Sequence, residues 1–460
     1  LNLVFSGHGK HLDCPTLRLT NHHGLMIAGE AALSNWDAGM DMYIYGKLGN
    51  LTMTKEGINV LMTNLTGKVP PILQRLDYIR FNGEAAGYLH DLTLTGLFHT
   101  GAGMVKTDVM MSIDEQSMSR TYSGSVASAD LDLGKLLNQE KKFGKVDFNV
   151  ELKGFNYKNR YPESYIKGII SSFEYSQYQY ENIMLDGVYK DGGFNGRLSM
   201  DDANGSVQID GNFNVAKTIP DFNLKASVKN LRPHDLHLSD KYENASISLG
   251  LTADFTGKSI DDMNGRISLD SLQLNAPDER GCFLDNLTIT AGQVSGEKEL
   301  RINSSFMTAV IRGDYSYHTI PASVVKTVQR YIPSLLTIKD NMPEPHNNFQ
   351  FDICLENTEV LSKLFQIPLE LYLPASLKGY FNDGEEKLHV EGHFPEFRYN
   401  GTRYDSGVLF CENPSDRFKC SLRGGMLMKS GAMLNFSVEA NAKNDHLETT
   451  INWGNNTDVT

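Results

Sequence analysis

Five potential metal ligands crowd the start of the sequence: His8, His11, Cys14, His22 and His23. His-x2-His-x2-Cys can bring three donors to one ion when it sits on a short knuckle or a helix. Here Leu17-Arg18-Leu19 reads as a strand, and no carboxylate stands where it could orient an imidazole. Solvent-edge histidines are expected, with no metal. Gly101-Ala102-Gly103 followed by Lys106-Thr107 resembles a phosphate loop. The leading glycine of that motif is missing, so a hairpin turn is expected. The acid pairs Asp201-Asp202, Asp261-Asp262 and Glu385-Glu386 sit in turn-like surroundings. Adjacent side chains on a strand point to opposite faces, which makes such pairs poor acid–base dyads. No nucleophile elbow, zinc-protease motif or kinase signature occurs. Catalysis needs convergent polar groups, and none assemble. The expectation is a protein that is not an enzyme and holds no cofactor.

Phe173, Tyr175, Tyr178 and Tyr180 form a dense aromatic patch. Such a patch can stack sugar rings, but tyrosine also favours strands and pairs across them. The structural role is the expected one. There are five cysteines, Cys14, Cys282, Cys354, Cys411 and Cys420, an odd number and too sparse for a disulfide scaffold. Cys411 and Cys420 flank the turn-like Glu412-Asn413-Pro414-Ser415-Asp416. Two half-buried thiols are expected there, with a disulfide across a hairpin as the alternative. With 56 acidic against 43 basic residues, the net charge is −13, a sign that repels polyphosphate. Nucleic acid is not an expected partner.

The elements that must position these residues follow from a period of two. Val207, Ile209, Phe213 and Val215 alternate with Gln208, Asp210, Asn212 and Asn214. Ile247, Leu249, Leu251 and Phe255 repeat the pattern, as do Leu388, Val390 and Phe394, then Leu434, Phe436 and Val438. Strict alternation gives one apolar face and one wet face, the mark of antiparallel strands covered on a single side. Turn dipeptides such as Asn204-Gly205, Asn264-Gly265, Asp383-Gly384 and Asn400-Gly401 punctuate the strands. The 460 residues then hold about thirty strands of about six residues, more than a sandwich or closed barrel uses. The fold class expected is all-β: an elongated, mainly antiparallel meander curled into a groove, roughly 140 Å long at ~4.8 Å per strand.

Helical spacing breaks the pattern at three places, near 70–80, 322–337 and 358–366. Proline opens the first two, at Pro70-Pro71 and Pro321, and Pro333 should divide the second. These helices are expected to plug or cap a sheet edge. Residues 339–346, with Pro343 and Pro345, are the best candidate break, between a first array at 1–338 and a second at 347–460. The opening at Leu1 and the close at Thr460 read as a piece of a longer chain.

Particular phrases point to a family. Ser123-Gly124-Ser125-Val126-Ala127-Ser128-Ala129-Asp130-Leu131-Asp132-Leu133-Gly134-Lys135-Leu136-Leu137, followed by Phe143-Gly144-Lys145-Val146, resembles a recurrent element of TamB proteins from the Bacteroidetes. Arg312-Gly313-Asp314-Tyr315 leading to Tyr331-Ile332-Pro333, and Asn182-Ile183-Met184-Leu185-Asp186-Gly187, resemble it too. The resemblance implies an AsmA-like β-taco in the periplasm, anchored in the inner membrane when complete. It implies movement of phospholipid between inner and outer membranes, and support of outer-membrane assembly with a barrel partner of the TamA type. On that reading phospholipid acyl chains cover the apolar face that nothing in the sequence covers. The competing expectations are a glycan-binding envelope module and a β-solenoid hydrolase.

Overall fold

The computed structural model describes residues 2–455 apart from 115, 118, 157–162, 242, 278–280, 336–345 and 415. Strands take 65% of the chain and helices 9%, in one long antiparallel sheet of 29 strands that is not closed. Most strands run longer than six residues, as Phe143–Asn156 (14) and Lys387–Tyr399 (13) illustrate. Compactness divides the chain into two units, residues 1–217 with 228–243, and residues 218–227 with 244–460. The break expected at 339–346 lies outside the described residues except at His346. The flanking strands Met307–Asp314 and Asn348–Leu355 pair directly, so one array runs across it.

Five α-helices interrupt the strands among the described residues: α1 (Lys55–Thr66), α2 (Pro71–Gln74), α3 (Leu133–Leu137), α4 (Ile320–Gln329) and α5 (Glu359–Phe365). The last matches its expected place. The first expected helix is one turn only, because the chain extends at Tyr78 into the next strand. The second stops at Gln329, short of Pro333, and 336–337 lie outside the described residues. Two helices were not expected. Thr54 caps α1 by accepting from the Gly57 amide, and left-handed Gly67 ends it. Asp132 caps α3 through the Lys135 amide, and such local caps make short helices viable.

In the first unit, α1, α2 and α3 sit along one rim of the sheet. His23 Nδ1 lies 2.7 Å from Glu56, and Thr54 Oγ1 donates to the His23 carbonyl. Lys135 Nζ reaches Asp77 and the Gly101 carbonyl, and the Ser176 amide donates to Lys142. Beneath them Ile58, Leu76, Ile79, Leu131, Leu136 and Val146 form a buried core.

In the second unit, residues 315–335 make a strap along one rim. The Tyr317 amide and Ser316 hydroxyl donate to Asp261, and Ser323 Oγ donates to Asp383. Asn413 bonds the Tyr331 hydroxyl, and the Ser334 amide donates to Asp445. The strap thus ties successive hairpin turns together. Met263, Leu300, Tyr315, Phe349, Phe381 and Leu388 fill the core at this rim.

The wet face is laced by cross-strand ion pairs such as Lys378–Glu391 and Arg423–Glu439, each 3.1 Å. Exposed pairs of this kind are worth little. Glu299 differs, being buried between Arg312 and Arg301. Those guanidiniums, Arg312 foremost, hold its carboxyl below the ordinary value against the opposing effect of burial. Its stabilisation is therefore present above the ordinary glutamate value of about 4.5 and is lost as pH falls through the lowered value. Acid titration of thermal stability is expected to show this loss, and Glu299→Gln is expected to flatten it.

Candidate functional site

The register assembles the expected apolar residues into long cross-strand rows. In the second unit, Ala253, Ile267, Ile289, Ile302, Ala309 and Ile353 are successive partners. The row continues through Leu377, Gly392, Leu409, Leu422, Val438 and Ile451. Not one polar side chain enters it. In the first unit, Gly29, Leu48, Gly83, Gly96, Thr107 and Val126 lead to Val150, Gly168, Leu185, Leu198 and Ile209. Where glycines meet, an aromatic ring lies over them: a Cβ on Gly96 would stand 2.4 Å from Phe81, and one on Gly187 2.5 Å from Phe194. The rings fill what the missing side chains leave open.

Thr107 is the sole polar side chain of the first row, and its hydroxyl is buried without a partner. Thr107→Val is expected to raise stability by about 1 kcal/mol, since it removes an unmet donor at constant shape. A loss of melting temperature would refute that placement.

Val207, Ile209 and Phe213 take their places on the first unit's face, opposite Met200, Leu198 and Phe194. Ile247, Leu249, Leu251 and Phe255 lie on the second unit's face against Leu274, Leu272, Leu269 and Gly265. Val390 pairs with Cys411, Phe394 with Gly407, and Leu434, Phe436 and Val438 with Met426, Gly424 and Leu422. Two expectations need correction. Val215 lies beyond its strand, because Asn214 accepts from the amides of Ala216 and Lys217 and turns the chain. Leu388 is packed into the core against Phe381 at the strapped rim, where it lines nothing.

Alternation alone missed several members. A bulge between Leu48 and Leu51 puts both on the apolar face, and another between Asp405 and Val408 lets Tyr404 join Leu409 there. Phe397, Tyr404, Met426 and Leu434 are successive partners as a result. An apolar spacing of three in place of two was the available signal.

The face is half-open. Ile267, Ile289, Ile302, Ile353, Leu377, Leu409 and Val438 all keep part of their surface accessible, whereas the middle of a two-sheet core would be fully buried. Leu422 and Ile451 are 40% and 55% exposed.

The other candidates disperse. His11 bonds Ser34 and His23 bonds Glu56, and no cluster of metal-ligating side chains exists among the described residues. Residues 101–102 form the expected hairpin turn. The aromatic patch packs around one buried member: Tyr180 is 8% exposed, donates to the Leu236 carbonyl and packs against that fully buried leucine, with Phe173, Tyr175 and Tyr178 half-buried beside them. Burial and the Asp202 carboxylate push the Tyr178 phenol up to about 12. Cys411 and Cys420 are not thiols; they are direct cross-strand partners, 4.1 Å apart at Cα, joined by a disulfide. That bond lies on the apolar face, between Val390 and Ala440.

No helix among the described residues is long and apolar enough to cross a membrane. No family model, curated protein or solved structure matches the chain.

Proposed function

We propose that the chain is a lipid-conduit segment of TamB/AsmA-like type, working in the periplasm. It carries phospholipid between inner and outer membranes and supports outer-membrane assembly beside a barrel partner of the TamA type. The complete protein is anchored in the inner membrane, and the segment performs no catalysis. The observation that carries this reading is the row from Ala253 to Ile451, apolar throughout and partly accessible except at the buried Ala253, Ala309 and Gly392. An apolar surface that long is costly in water at roughly 25 cal/mol per Å². Acyl chains match it because they need only a continuous apolar floor, with no shaped pocket. The glycan-binding alternative is the less favoured, since Tyr180 of the aromatic patch is buried against Leu236.

Photo-crosslinkers test the reading directly. At Ile209 and Leu249 they are expected to capture phospholipid, and at Gln208 and Ser248 they are expected to capture none, because the two sets lie on opposite faces. Equal labelling of both sets would sink the conduit.

A further inference from the structure

The two rims of each unit differ in kind. In the first unit, the rim opposite the helices carries Trp36, Tyr189 and Phe213, exposed at 63%, 39% and 37%. Tyr78, at 37%, is the one aromatic ring so exposed on the helical rim among the described residues. In the second unit, the rim opposite the strap exposes Phe365, Tyr372 and Tyr399 at 58%, 49% and 46%. Among the described residues the strapped rim exposes one such ring, Tyr380 at 45%, which stands beside Gln350 and His389 on the wet face. Three of these rings, Tyr189, Phe213 and Tyr399, also adjoin the apolar face. Tyr189, Phe194 and Phe213 are successive cross-strand partners, and Tyr399 ends the strand that carries Phe397.

Tyrosine and tryptophan settle where hydrocarbon meets water, with the ring in one phase and the polar tip in the other. A belt of them along one rim marks that boundary. The opposite rim is bonded turn to turn over a buried core, which leaves no exit for a polar group. Resting on the conduit reading, we infer that phospholipid lies across each unit in one orientation, headgroup over the aromatic rim and acyl ends toward the bonded rim. The aromatic rings are then positioning residues for the glycerol region.

Two photoreactive phosphatidylethanolamines test the orientation on the intact chain, one with a diazirine on the headgroup amine and one at the acyl terminus. Peptide mapping is expected to place headgroup adducts around Tyr189 and Tyr399, and acyl adducts around Ile302 and Ile311, each enriched about tenfold over the other probe. Exchanged positions, or the same peptides from both probes, would overturn the orientation and leave the conduit standing. Labelling by neither probe would remove the conduit and the orientation with it. Replacing Tyr189 and Tyr399 together by serine is expected to blur the two patterns at unchanged thermal stability. Sharp patterns in that variant would refute the positioning role.

Discussion

Aspartate in place of Ile209 or Leu249 is expected to abolish lipid transfer, by tenfold or more, while the sheet keeps its melting temperature to within a few degrees. Ile209 ends the first unit's apolar row beside Leu198, and Leu249 lies on the second unit's apolar face beside Leu272. Both keep part of their surface accessible, so the new carboxylate can remain hydrated in the folded state. The expected cost is then about 1–2 kcal/mol, mostly the lost apolar contact. Acyl chains sliding over the same spot would have to strip that hydration, and an unpaired charge facing hydrocarbon costs several kcal/mol. On the proposed conduit reading, one obstruction interrupts the path across its own unit. A sealed core makes the opposite prediction, because a buried unpaired charge would unfold the unit. Thermal melts and a vesicle-to-vesicle transfer assay on the complete protein separate the cases. Transfer at the wild-type rate in a folded variant would end the conduit proposal.

The apolar face was legible in the sequence because side-chain direction in a strand depends on parity alone. Ile247, Leu249 and Leu251 needed no tertiary information to be placed on one face. What alternation cannot show is where the phase resets. The bulges near Leu51 and Ser406 each insert one residue, and left-handed Ser406 signals its reset only in the backbone. Helix α1 was hidden for a related reason, since its ends are fixed by Thr54 and Gly67 at single positions. The role of the long loops as rim walls was also illegible. It depends on hydrogen bonds such as Ser334 to Asp445, between residues remote in sequence and joined only once the strands are in register.

The strap of the second unit is expected to be a wall and not a gate, and Asn347 is where the two ideas part. Asn347 is 1% exposed. Its Nδ2 donates to Thr319 Oγ1 at 3.0 Å and to Ser323 Oγ at 2.6 Å, and its Oδ1 accepts from the Ser316 amide. Its own amide donates to Asp383, which also receives Ser323 Oγ. One side chain therefore joins both ends of the turn before α4 to the strand that follows the strap. Asn347→Ala keeps the backbone bond and strands the others in a buried site. Each unmet buried group costs about 1–3 kcal/mol, so local stability should fall by about 2–4 kcal/mol. Hydrogen exchange at 315–335 is then expected to accelerate about 30-fold or more, while amides along the row from Ile289 to Ile353 keep their protection. The exposed helix position Val325 serves as control, and Val325→Ser should change stability by less than about 0.5 kcal/mol. A gate freed from its latch would transfer lipid faster. A wall that loosens transfers no faster and exposes the core around Phe349 and Phe381, so the expected result is unchanged or slower transfer. Faster transfer in Asn347→Ala would show that lipid enters past the strap.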